Sequence, residues 1–330
     1  MDKIKYGVIG VGALGGHHAR WASRIEAFDV RGVYDIDSAK AAAAAGELRC
    51  RAFESIDDLL SVCDAVSIAV LTSSHCEIAL RVIAAGKHLL IEKPIAATLD
   101  EADRIIAAAQ AQNVTLMVGH IERFNPALLA LAGCDIQPRF IEAHRLAAFN
   151  PRGADVAVVL DLMIHDIDLA LHLIKSPVRD IAAAAVAVVS DTVDIANARL
   201  TFADGAVANL TASRISLHPM RKLRIFQSSG YFSLDLAEKR ADLYRLAEGK
   251  PLDGELSIPL GQSGMNIGYV KAGDSSRDML QLELTAFADA VQGRRPVAVT
   301  GGEAREALAV ALAVIDKSRQ SAETFGADGR

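Results

Sequence analysis

"GVIGVGALGGHHAR", Gly7 to Arg20, decides the fold of this chain. It joins the strand-like run Lys3–Ile9 to the helix-like run Leu14–Ser23, and Gly10-Val11-Gly12-Ala13-Leu14-Gly15 within it has GxGxxG spacing. Each glycine answers a different steric demand. Gly10 permits a tight turn, Gly12 removes the Cβ that would hold a pyrophosphate away, and Gly15 lets helix and strand pack closely. Gly10, Gly12, Ala13, Leu14 and Gly15 are therefore the expected phosphate cradle of a nucleotide cofactor. A bare match to this pattern is weak, because glycine turns between strand and helix are common, so its surroundings must carry the argument.

The second strand-like run, Val30–Tyr34, ends at Asp35, near the offset expected for an acid that hydrogen-bonds the adenosine ribose. A carboxylate there repels a 2′-phosphate, and neither Ile36 nor Asp37 offers a cation to receive one. The expected cofactor is NAD rather than NADP. Asp35 could instead cap the following alanine-rich helix, Ala39–Ala45, but Asp37 or Ser38 suits that role better. Further apolar runs at Ala65–Leu71, His88–Ile91 and Leu116–Val118 alternate with helical stretches at Glu77–Ala85 and Leu99–Ala111. Thr98 and Glu101 read as a capping box for the latter. Strands joined by crossover helices predict a doubly wound parallel sheet.

After about residue 120 the pattern changes. A helix is expected around Val156–Ile174, then strands at Ala184–Val189, Ile195–Phe202, Val207–Ser213, Leu223–Gln227, Tyr231–Leu236 and Ala241–Leu246. Asp204-Gly205 is a hairpin signal between two of them. Helices at Asp278–Gln292 and Gly302–Ser318 close the chain. The expected fold is α/β: a Rossmann domain over residues 1–121, then an α+β domain over 122–330 with an open, mostly antiparallel sheet and helices on one face.

At 330 residues, with 51% hydrophobic and 23% charged residues, the chain has ordinary globular composition and exceeds what one core usually supports. A net charge of −6 without a basic cluster argues against a nucleic-acid partner. Apolar runs such as Ile181–Val189 and Ala307–Ile315 fall short of the roughly 20 residues that cross a bilayer, so no membrane partner is expected. No charged-then-apolar leader is visible, and the expected location is cytoplasmic. Cys50, Cys63, Cys76 and Cys134 lack CxxC spacing and read as reduced thiols.

Two further motifs carry chemistry. Glu92-Lys93-Pro94 follows an apolar strand, which puts Lys93 at the carboxyl end of the sheet, where open α/β folds bind ligands. Pro94 restricts the chain there and makes Lys93 a positioned cation. The second motif is Asp161, His165, Asp168 and His172, a polar stripe at helical spacing in an otherwise apolar helix. The carboxylate of Asp161 one turn before His165 would orient the imidazole as a general acid/base. A third or fourth metal ligand cannot be named, so no metal is expected.

The GxGxxG followed by His18-Ala19, the Glu92-Lys93-Pro94 signature and the Asp161…His165 pair together resemble the glucose-fructose oxidoreductase / inositol dehydrogenase (Gfo/Idh/MocA) family. The resemblance covers nearly the whole chain. It implies an NAD-dependent sugar oxidoreductase with Lys93, Asp161 and His165 as catalytic residues. It also implies that Leu71, Thr72 and His75 run beside the nicotinamide, that Glu92 joins the cofactor site, and that the open sheet forms the interface of a homodimer or homotetramer. "VGHIERFNPA" (Val118–Ala127) and "ASRISLHPMRKLRIFQSSGYFSLDL" (Ala212–Leu236) resemble members acting on UDP-N-acetylglucosamine-type nucleotide sugars, including those that oxidise carbon 3. Arg123, Asn125, Arg214 and Arg221 are then candidate substrate contacts, guanidinium forks being suited to phosphate, unless the arginines instead pin parts of the protein together. Two alternatives stay open: a dehydrogenase of a free cyclitol or monosaccharide, and a non-catalytic NAD(H)-binding regulator.

Overall fold

The computed structural model describes residues 2–150, 156–248, 256–259 and 265–327. The chain divides into two compact units, Met1–Ile121 with Asp278–Leu308, and Glu122–Arg277 with Ala309–Arg330. The first unit begins β1 (Ile4–Ile9), α1 (Ala13–Ala22), β2 (Phe28–Tyr34), α2 (Ser38–Leu48), β3 (Arg51–Ala52), α3 (Ile56–Ser61) and β4 (Ala65–Ile68). It continues with α4 (His75–Ala84), β5 (His88–Glu92), α5 (Leu99–Ala111) and β6 (Leu116–Gly119). All strand pairs are parallel, in the order β3-β2-β1-β4-β5-β6. The order reverses between β1 and β4, which opens a crevice at the carboxyl ends of those strands.

The strands are apolar on both faces because helices cover both. Leu89, Leu90 and Ile91 of β5 are fully buried, each worth roughly 1.5–3 kcal/mol over an exposed position, so the strand leading into Lys93 is firmly anchored. Local signals match the elements they introduce. Thr98 and Glu101 form both halves of the capping box on α5, and Asp37 caps α2 by accepting from Ala39 N–H and Lys40 N–H. Asp35 is thereby left for another role.

The second unit carries β7 (Phe140–Leu146), a helix whose first turn, Val159–Met163, is π-helical and which continues as α7 (Ile164–Ile174), then β8 (Val178–Val186), β9 (Ile195–Phe202) and β10 (Val207–Ser213). β11 (Met220–Gln227), β12 (Gly230–Asp235), β13 (Arg240–Glu248), β14 (Leu256–Pro259) and β15 (Met265–Ala272) complete its sheet. The order is β14-β15-β13-β12-β11-β7-β10-β9-β8, and among the described residues only the β7/β10 pair is parallel. Gly205, at φ +86°, makes the expected turn between β9 and β10. Ala198, Leu200, Leu210, Ile141 and Ile225 form one buried face. The other face carries an aromatic ladder in register across the strands, Phe140, Phe226, Tyr231, Tyr244 and Tyr269, with neighbouring ring centroids 4.8–5.5 Å apart.

The second domain expected from sequence runs unbroken from 122 to 330, whereas α8 (Met279–Val291) and the start of α9 (Gly301–Ala327) belong to the first unit. α8 lies on α1 and buries Leu284 and Phe287, the latter edge-on to Tyr6 at 6.4 Å. Among the described residues no helix is long and apolar enough to cross a membrane. All four cysteines are free; burial pushes the Cys63 thiol up to about 12, which makes it unreactive, while Cys134 is exposed.

Candidate active site

The glycine loop has the shape that its spacing predicts. Gly10 sits at φ +85°, and a Cβ on it would lie 2.6 Å from the Ala69 carbonyl oxygen. A Cβ on Gly15 would lie 1.8 Å from the Gly10 carbonyl oxygen, so this helix can approach the strand only with glycine there. Gly12, the N-cap of α1, has nothing within 4 Å of a built Cβ, and the first turn holds no acidic side chain. An open space before a helix N-terminus that has no competing carboxylate suits a pyrophosphate.

Asp35 follows β2 on the same edge. Its Oδ2 accepts from Val11 N–H at 2.7 Å and its Oδ1 from Asp37 N–H at 2.9 Å, so the loop fixes the carboxylate and leaves each oxygen capacity for a further donor. Leu14, Ile36 and Leu71, after β1, β2 and β4, are exposed at 44%, 93% and 78%. Apolar side chains left in water at the mouth of a polar cradle fit the flat faces of a dinucleotide. Thr72 is half-buried in the same segment as Leu71.

His75 and Glu92 belong behind this surface. His75 is buried, with Nδ1 2.9 Å from the Pro94 carbonyl oxygen and Nε2 3.3 Å from that of Val70; burial lowers its pKa. It ties the loop after β4 to the turn carrying Lys93. Glu92 is also buried, its Oε1 2.8 Å from His18 Nε2 and its Oε2 accepting from Lys93 N–H at 3.2 Å. Both side chains have partners in the framework. Lys93 is half-buried, and its peptide bond to Pro94 is cis.

In the second unit the polar stripe splits. Asp161 lies inside the π-turn and His165 in the first turn of α7, and both are half-buried. π-turns within helices occur often at functional sites. Asp168 is buried and takes a bidentate fork from Arg123 at 2.6 and 2.8 Å, while Arg123 Nη1 lies 2.5 Å from Nδ1 of the exposed His172. Those two stripe members therefore serve packing.

The expected substrate contacts divide in the same way. Asn125 is fully buried, donates to Glu122 and the Leu236 carbonyl oxygen, and caps a short helix at Ala127 N–H. Arg214 is buried, donates to the Val156 carbonyl oxygen and lies 3.9 Å from Asp194. Arg123, Asn125 and Arg214 therefore have partners within the unit, as the pinning alternative expects. Arg221 differs: it is exposed on β11, in register with Arg145 of β7.

Sequence reasoning missed the groups that support α7. Buried Arg145 donates to both oxygens of Asp166 at 2.8 and 3.0 Å and to Glu122 at 2.7 Å. Burial works against its charge, but the Asp166 and Glu122 carboxylates outweigh that and raise its pKa further. Asp194 accepts from the N–H groups of Val188, Val189 and Ser190, while Val158 N–H donates to the Val193 carbonyl oxygen and fixes the start of the π-turn. Asp166, which lies off the polar stripe of this helix and among its apolar residues, was the available signal that a buried cation must lie elsewhere in the chain.

Residues 4–120 match the model of an oxidoreductase family with an NAD-binding Rossmann fold, and residues 137–233 match the Gfo/Idh/MocA C-terminal domain. The UDP-N-acetylglucosamine 3-dehydrogenase of Acidithiobacillus ferrooxidans is 41% identical over 315 residues, covering 95% of this chain and 97% of that protein. A solved structure of a UDP-N-acetylglucosamine 3-dehydrogenase from the same organism matches with a TM-score of 0.86 at 40% identity, over 96% of this chain and 98% of that one. Inositol 2-dehydrogenase 2 of Saccharopolyspora erythraea is 34% identical over 184 residues, 52% of this chain and 54% of that protein.

Proposed function

Because the chain belongs to the Gfo/Idh/MocA family of NAD-binding oxidoreductases, we propose that it moves a hydride between a sugar hydroxyl and NAD, with a UDP-N-acetylglucosamine-type nucleotide sugar as substrate and carbon 3 as the reacting centre. The observation that carries this reading is 41% identity to a UDP-N-acetylglucosamine 3-dehydrogenase across 95% of the chain, both units included.

The loop Gly10, Gly12, Ala13, Leu14 and Gly15 holds the pyrophosphate, Asp35 the adenosine ribose, and Leu71 and Thr72 the nicotinamide half. When bound, NAD supplies the hydride acceptor. Lys93 places its ammonium where the substrate oxygen becomes an alkoxide, on a turn fixed by Glu92 and His75. His165, oriented by Asp161, takes the hydroxyl proton. Arg221, exposed beside the Arg145 strand, contacts a phosphate of the substrate. The aromatic ladder on the outer face of the second sheet supports pairing of that face with another copy of the chain.

Asp35→Ala is expected to raise KM for NAD by roughly 10- to 100-fold, from the 1.5–3 kcal/mol of a hydrogen bond to a charged group. Titration of initial rate against NAD checks this, and an unchanged KM would remove Asp35 from the cofactor site. The function itself is tested by following reduced nicotinamide in the presence of either UDP-N-acetylglucosamine or myo-inositol. Reduction with the nucleotide sugar, together with a rise in melting temperature on adding UDP alone, is the expected outcome. Reduction with myo-inositol only, and no effect of UDP, would give the enzyme to the free cyclitols.

A further inference from the structure

Behind Lys93 lies a cluster that the proposed reaction does not use directly. His18 of α1, Glu92 of β5 and Glu283 of α8 are all buried, and a ring nitrogen and one oxygen from each carboxyl lie within 4.8 Å of one another. Gly119 of β6 makes room for it: a Cβ there would sit 3.0 Å from Glu92 Oε1. The groups have a consistent direction of donation. Tyr6 OH lies 2.5 Å from Ser67 Oγ, which lies 2.8 Å from His18 Nδ1, while His18 Nε2 faces Glu92 Oε1 at 2.8 Å. With Tyr6 donating to Ser67, Ser67 to His18, and His18 to Glu92, every member is satisfied with a neutral imidazole. Glu92 also accepts from Lys93 N–H, so both of its oxygens act as acceptors.

Glu283 is the member this chain leaves over. It is fully buried, and among the described residues neither carboxyl oxygen has a hydrogen-bond donor. A second anion beside Glu92 in a dry interior, without a cation of its own, would be prohibitively unfavourable. The groups facing the pair are Tyr6 from β1, His18 from α1, Ser67 from β4, and His75, which acts on Glu92 from α4; none is a permanent cation.

We infer that Glu283 is a positioning residue: it keeps its proton at neutral pH, shares it with the Glu92 carboxylate, and so holds the turn that aims Lys93. This rests on the reading of Lys93 given above. The proton stays within the carboxyl pair and no bond to substrate is made by either. Burial first, and then the Glu92 charge, raise the Glu283 pKa well above the ordinary carboxyl range, as the geometry requires.

The test uses the full-length enzyme and two variants. Infrared spectra of substrate-free protein at neutral pH should show the carbonyl band of a protonated carboxylic acid, and Glu283→Gln should lose it. Glu283→Leu, which removes the donor, should lower kcat by roughly 10- to 100-fold with KM for NAD unchanged, and Glu283→Gln, which keeps an N–H donor, should restore it. Absence of the band in the wild type, a Leu variant as fast as wild type, a Gln variant as slow as the Leu variant, or stoichiometric metal retained by the purified protein would each overturn the assignment. Because the infrared experiment needs no turnover, a wild type that oxidised no sugar would sink the functional reading while the band still decided the proton's place.

Discussion

Lys93→Met is expected to lower turnover by on the order of 10²–10³ while leaving NAD affinity unchanged. The side chain keeps its length and apolar stem but loses the charge that meets the developing alkoxide. The Lys93 backbone is held in place by its neighbours. β5 is anchored by fully buried Leu89, Leu90 and Ile91, Glu92 accepts from the Lys93 N–H, and His75 lies against the Pro94 carbonyl oxygen. These contacts run through backbone groups and neighbouring side chains, and they hold the turn in the variant. Steady-state kinetics with NAD titrated by fluorescence checks the split; near-wild-type turnover would remove Lys93 from the mechanism.

Arg145→Met is expected to destabilise the protein by about 3–5 kcal/mol, because it leaves Glu122 and Asp166 as buried carboxylates without their cation. The loss is one of uncompensated charge rather than of volume. A double variant, Arg145→Met with Asp166→Leu, should recover part of it by removing one of the stranded carboxylates. Thermal unfolding monitored by circular dichroism measures both. Equal melting temperatures for wild type and Arg145→Met would show that the network is dispensable.

The parallel half of the fold was legible because its signals are local. Glycines mark the β1–α1 turn, Thr98 and Glu101 mark a helix start, and both-face burial writes itself as uninterrupted apolar runs. β3 and α3 were missed, being only Arg51–Ala52 and Ile56–Ser61, too short for any period to show. β7 was missed for a better reason. Its inward positions are Ile141, Ala143 and Arg145, and the last breaks the apolar alternation because its partners come from Glu122 and Asp166, distant in sequence. The π-turn at Val159–Met163 is likewise silent: no Gly or Pro marks it, and helical spacing assumes the ordinary period. The return of α8 to the first unit depends on contact with α1, which no local pattern encodes.

The candidate site divides along the same line. The geometry around Gly10, Gly15 and Asp35 was legible because tight turns and strand ends are written locally. Arg123, Asn125 and Arg214 have partners within the protein that no local pattern announces, because a guanidinium or amide suited to phosphate is equally suited to a buried carboxylate or carbonyl. Asp166 and Asp168, beside His165, are paired with Arg145 and Arg123, while Asp161 and His165 are half-buried on the same helix.

Hydride transfer from carbon 3 of a UDP-N-acetylglucosamine-type sugar can be followed with UDP-N-acetylglucosamine deuterated at carbon 3, incubated with the protein, NAD and a hydrazine to trap the ketone. Mass spectrometry of both products should find the deuteron on the reduced nicotinamide and the trapped keto-sugar without it. Reduced nicotinamide lacking the deuteron, or no trapped ketone with NAD shown to bind, would contradict the account.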